Sequence, residues 1–78
     1  MKRFEALWYT DEKLENYETK EFSTLQALLH FYNKHKDDPN CFEWWLTKRN
    51  MYWEVVEDYC LIDKHDGSYE VEVDEILL

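Results

Sequence analysis

Cys41 to Ile62, CFEWWLTKRNMYWEVVEDYCLI, holds two apolar, β-prone runs on either side of the polar break Lys48-Arg49-Asn50. That pattern predicts a β-hairpin. Successive strand residues point to opposite sides of a sheet, and here both sides are apolar. Along Cys41 to Lys48, Phe42, Trp44 and Leu46 share one face and Cys41 and Trp45 the other. Along Tyr52 to Ile62, Trp53, Val55, Tyr59 and Leu61 share one face, while Tyr52, Val56, Cys60 and Ile62 share the other. A hairpin of this kind needs cover on both sides.

Putting the two greasier faces together pairs Leu46 with Val55 and Phe42 with Tyr59 across a two-residue loop at Asn50-Met51. It also sets Cys41 opposite Cys60. Asn50-Met51 lacks the glycine that two-residue turns favour, so a longer loop is an open alternative.

The rest of the chain supplies partners for this hairpin. Lys2 to Thr10 reads as a strand with Phe4, Ala6 and Trp8 on one side and Leu7 and Tyr9 on the other. Asp11-Glu12-Lys13 is a polar turn, and Leu14 to Phe22 is a charged strand suited to an exposed edge. Ser23 and Gln26 form a capping-box pattern at the start of a helix over residues 24–36. Leu25, Leu28, Leu29 and Tyr32 make one apolar stripe on it. Lys34, His35 and Lys36 suit the negative pole of the helix, and Asp37-Asp38-Pro39-Asn40 ends it. Asp63 to Gly67 is a turn. Ser68 to Asp74 is a strand with Tyr69, Val71 and Val73 opposite Glu70, Glu72 and Asp74, and Glu75 to Leu78 extends it or covers an edge of the core. The order β-β-α-β-β-β predicts an α+β fold, a single antiparallel sheet with one helix packed on one face.

At 78 residues the chain is one small domain spanning 1–78, a size at which a core is only just sufficient. Aromatic residues make up 18% of it, and each ring buries ~150–250 Å², which compensates. One helix covers one side of a sheet, and this sheet has aromatic residues on both. Trp45, Tyr52, Val56 and Ile62 are therefore expected to form an uncovered apolar patch, and such patches mark partners.

Charge refines the partner. Residues 1–49 hold nine acidic and eight basic side chains, whereas residues 50–78 hold nine acidic side chains and the single base Lys64. Direct nucleic-acid binding needs clustered Lys and Arg and is not expected. The acidic surface of Glu54, Glu57, Asp58, Glu70, Glu72 and Asp74 suits a basic protein, such as one that handles nucleic acid, with the apolar stripe supplying affinity and the charges rate and register. A homodimer through the same patch is the other association to test. The size and acidity are those of many small accessory proteins of phages and mobile elements, a likeness of composition that carries no motif.

Other chemistry is thinly represented. The start turns acidic at once and no apolar run approaches the ~18 residues of a span, so no membrane role and a cytoplasmic location are expected. Two cysteines without an export signal read as free thiols. His30, His35, His65, Cys41 and Cys60 show no metal-ligand spacing, and no metal or cofactor is expected. Ser23, Ser68, Cys41 and Cys60 have no histidine and acid at a recognisable spacing, and one glycine cannot build a phosphate loop. The expected function is a non-enzymatic, acidic protein–protein interaction module that inhibits or masks a basic partner. The alternative is a small-ligand-binding or catalytic domain with a cleft between helix 24–36 and the sheet, around His30, Tyr32 and Trp44.

Overall fold

The computed structural model describes residues 2–76. Its elements are β1 (Phe4–Tyr9), β2 (Tyr17–Phe22), α1 (Leu25–His35), β3 (Phe42–Arg49), β4 (Val55–Asp63) and β5 (Tyr69–Glu75). The strands form one antiparallel sheet in the order β2-β1-β3-β4-β5, with α1 between β2 and β3 in sequence. This is the α+β arrangement anticipated from the pattern. The tail residues Leu77 and Leu78, expected to extend β5 or cover an edge, lie outside the described residues.

The cap of α1 is Thr24 and not Ser23. Thr24 is extended, and its hydroxyl accepts from the Ala27 N–H at 3.2 Å. Leu28 and Leu29 are buried, as the apolar stripe requires. They join Ala6, Trp8, Leu46 and Tyr59 in the core. Rings then pack outward from β1. Trp8 stacks on Trp44 with centroids 5.1 Å apart, Phe31 lies 5.5 Å from Trp8, and Tyr32 meets Trp44 edge-on at 5.2 Å. Offset and edge-on ring pairs of this kind add about 0.5–1.5 kcal/mol each beyond the area they bury.

The turn before β2 is held by one carboxylate. Asp11 accepts from the backbone N–H groups of Glu15 and Asn16 at 2.9 and 3.0 Å and from the Asn16 amide at 2.7 Å. These donors, the Glu15 N–H foremost, hold its acid below the usual carboxylate range.

Two departures from the expected pairing matter for function. First, β3 pairs with β4 as Leu46↔Tyr59 and Lys48↔Glu57, not as Leu46↔Val55. The loop is correspondingly longer. Asn50 N–H donates to the Glu54 carbonyl and Trp53 N–H to the Asn50 carbonyl, at 2.9 and 3.0 Å. Met51, Tyr52 and Trp53 form the tip, with Trp53 at φ 63°. Three-residue hairpin loops place their last residue in the left-handed region, and here Trp53 takes that position, which glycine usually fills. Trp53 is thereby removed from the strand face it was expected to share with Val55.

Second, an irregularity separates Leu7↔Trp45 from Tyr9↔Phe42, where two residues of β3 oppose one of β1. Glu43 adopts φ 46° within this β-bulge. A bulge inserts one residue and exchanges the faces beyond it. Phe42 consequently joins Tyr9 on the face away from the helix, and Cys41 packs against the core. The expected sides of these two residues are reversed, and Cys41 is not paired with Cys60.

Candidate functional site

The helix packs on β1 and β2. It covers only part of one sheet face, and no helix among the described residues lies on the opposite, outer face. Antiparallel neighbours share a face, so the registers assign its residues: Glu5, Leu7 and Tyr9 from β1, Thr47, Trp45 and Phe42 from β3, Asp58, Cys60 and Ile62 from β4, and Glu70, Glu72 and Asp74 from β5.

At one end this face has its own small polar core, which the sequence reading did not anticipate. Arg49 Nη2 lies 3.2 Å from Glu5 Oε1, with both side chains largely buried. Arg49 Nη1 donates to the Trp53 carbonyl at 2.9 Å, and its guanidinium sits 5.3 Å from the Trp53 ring centroid. Thr47, beside this group, is 1% exposed. The loop tip thus folds back to cover the end of the face. The signal for it was Glu5 itself, an acid alternating in phase with Leu7 and Tyr9 on a central strand. Such a position calls for a cation, and Arg49 is the one the hairpin supplies.

The middle of the face is open. Trp45 and Ile62 are each 42% exposed, and Cys60 between them is exposed. Tyr52 is 77% exposed but belongs to the loop tip, away from the strands. Val56 is half-buried at the register shift next to Arg49. The structure therefore keeps Trp45 and Ile62 together on one surface and separates Tyr52 from them.

The acidic residues divide in the same way. Asp58 lies opposite Asp74, Cys60 opposite Glu72 and Ile62 opposite Glu70, so carboxylates directly border the apolar stripe. Glu57 faces the helix side, where its Oε2 accepts from the Tyr59 hydroxyl at 2.6 Å. Glu54 closes the loop, receiving the Asn50 amide at 3.3 Å. Lys64, 3.7 Å from Glu70 with both side chains exposed, is the nearby cation, and an exposed pair of this length is weak.

The expected cleft beside the helix is filled. Tyr32 and Trp44 pack on each other, His30 is exposed on the far side of the helix, and no pocket opens among the described residues. Nor do three His, Cys, Asp or Glu side chains gather into a metal-sized group among them. Both cysteines are free. The Cys41 thiol is pushed up, first by burial and then by Asp38 and Glu18. No helix among the described residues is long and apolar enough to cross a membrane. Comparison with protein-family models, curated proteins and solved structures gives no match, and the functional reading rests on this geometry.

Proposed function

We propose that the chain is a non-enzymatic interaction protein that docks a basic protein on its outer sheet face, masking the surface that partner uses for nucleic acid. The observation that carries this reading is one sheet face that holds Trp45 and Ile62, both partly in water, together with the carboxylates of Asp58, Glu70, Glu72 and Asp74, Glu70 directly opposite Ile62. An exposed aromatic anchor beside a single sign of charge is what a cationic surface with an apolar centre would complement. A second copy is the poorer occupant, since it would bring the same carboxylates face to face.

The test is displacement. A purified DNA-binding protein of the host is bound to labelled duplex DNA and the chain is titrated in. Release of DNA that weakens with added salt, and that fails with Trp45→Ser or with Glu72→Lys/Asp74→Lys, supports the reading. No release from any of the host's basic DNA-binding proteins, or release unaffected by these substitutions, overturns it.

A further inference from the structure

The partner's mode of engagement can be read from the sheet edge. β5 ends the sheet, and its ladder with β4 runs without a break from Glu57↔Glu75 to Asp63↔Tyr69. At the two ends of that ladder, Ile76 N–H donates to the Val56 carbonyl and Lys64 N–H to the Ser68 carbonyl. In an antiparallel pair the directly bonded residues alternate, so the even-numbered residues of β5 turn their backbone groups toward β4. Tyr69, Val71, Val73 and Glu75 therefore turn their N–H and C=O groups outward, toward no strand among the described residues.

Natural edges are blunted by proline, bulges, short length or cover. This one has seven residues, no proline and no bulge. Its helix-side residues Tyr69 and Val73 are 40% and 48% exposed, because α1 sits over the other half of the sheet. The charges guarding it are all of one sign on one face, Glu70, Glu72 and Asp74. They repel a second copy, whose antiparallel β5 would set these same carboxylates opposite one another. They attract a strand carrying cations at alternate positions.

We propose that β5 receives an extended segment of the basic partner by strand addition, with the segment's Lys or Arg side chains on the outer face beside Glu70, Glu72 and Asp74 and its apolar residues beside Val71 and Val73. Main-chain bonds to the four outward residues give affinity, and the alternation gives specificity. The inference rests on the reading of the outer face as the docking surface and adds where and how the partner attaches.

A fluorescein-labelled heptapeptide alternating lysine and valine is the probe, followed by anisotropy at low salt. Saturable binding is expected, reduced at least tenfold by Val71→Pro, which removes an outward N–H without touching the β4 ladder. Thr19→Pro, at an outward position on the opposite edge strand β2, should bind as the unaltered chain does. Because a proline variant can unfold, the same complex is also read by amide hydrogen exchange on the unaltered protein. Slowed exchange at Tyr69, Val71, Val73 and Glu75 on adding peptide supports the proposal. If those amides are unprotected while Trp45→Ser still abolishes peptide binding, strand addition is overturned and the outer-face reading stands. If neither Val71→Pro nor Trp45→Ser matters, both fall. Protection of the same amides by raised protein concentration alone would assign the edge to a second copy and overturn the choice of partner.

Discussion

Arg49 and Glu5 meet at 3.2 Å on the outer sheet face, forty-four residues apart in sequence, and together they replace the cover that α1 gives the other face. Removing one partner of a largely buried ion pair strands the other, which costs far more than the pair itself contributes. Arg49→Met should therefore destabilise the domain by about 3 kcal/mol, whereas Glu5→Leu combined with Arg49→Met should recover most of that loss. Chemical denaturation of the single and double variants measures both. A double variant no better than Arg49→Met would mean that the lost contact with Trp53, and not the stranded carboxylate, carries the effect.

Trp45 and Leu28 lie on opposite sides of the sheet and should respond oppositely to truncation. Leu28 is fully buried in the core, and Leu28→Ala should cost ~2–5 kcal/mol through the cavity it leaves. Trp45→Ser removes a ring already partly in water and should shift the melting temperature much less, while weakening capture of the basic partner. Paired melting and binding measurements separate the two effects. Unfolding by Trp45→Ser would show that the ring holds the sheet together.

Tyr59 gives the fold a pH limit on the alkaline side. Its phenol is raised well above its ordinary value near 10, first by burial and then by its bond to the Glu57 carboxylate. A group with a raised folded value contributes stability that is intact below the unfolded value and is lost as pH climbs through the folded one. Stability should accordingly fall above about pH 10. Tyr59→Phe should flatten that fall, leaving a remainder from Tyr32, which burial also raises. Thermal melts across pH 8 to 11 would show this. An unchanged slope in Tyr59→Phe would exclude Tyr59 as its source.

The cysteines should report on the two faces. Cys60 is exposed beside Trp45 on the outer face, while Cys41 is half-buried against the core with its thiol pushed up. Only the thiolate reacts. Iodoacetamide should therefore modify Cys60 first, change Trp45 fluorescence and block partner capture without unfolding the chain. Mass spectrometry showing equal rates at both positions would contradict this placement.

Much of the fold was legible because its elements are strongly periodic. Leu25, Leu28, Leu29 and Tyr32 fixed the helix, and Tyr69, Val71 and Val73 against Glu70, Glu72 and Asp74 fixed the last strand. Positive φ at non-glycine residues accounts for most of what was not legible. Glu43 and Trp53 both adopt it, and neither is a residue type that marks such positions, as glycine or asparagine would. The first reverses Phe42 and Cys41, and the second moves the loop and hence the hairpin register. Trp45 kept its expected side because it lies between the two irregularities, and Ile62 because it lies beyond both, in the unbroken ladder of β4 with β5. Tyr52 and Glu54 did not, because they lie within the second. Arg49 was read as part of a polar break, although a strand can continue through a charged residue that finds its counter-charge across the sheet.

Asp58 and Asp74 face each other directly across β4 and β5, and Glu57 faces Glu75 one step away. Like charges at such positions oppose pairing, so this hairpin carries a local cost, which the Tyr59 hydroxyl eases only at Glu57. Asp74→Lys turns repulsion into attraction and should stabilise the domain by about 0.2–1 kcal/mol. If the outer face binds a cationic partner, the same change should weaken that binding and flatten its salt dependence. Melting temperature rising while affinity falls would fit a sheet that keeps unfavourable acid pairs for the sake of a partner. Affinity that holds steady in Asp74→Lys would leave these acids as a solvated face alone.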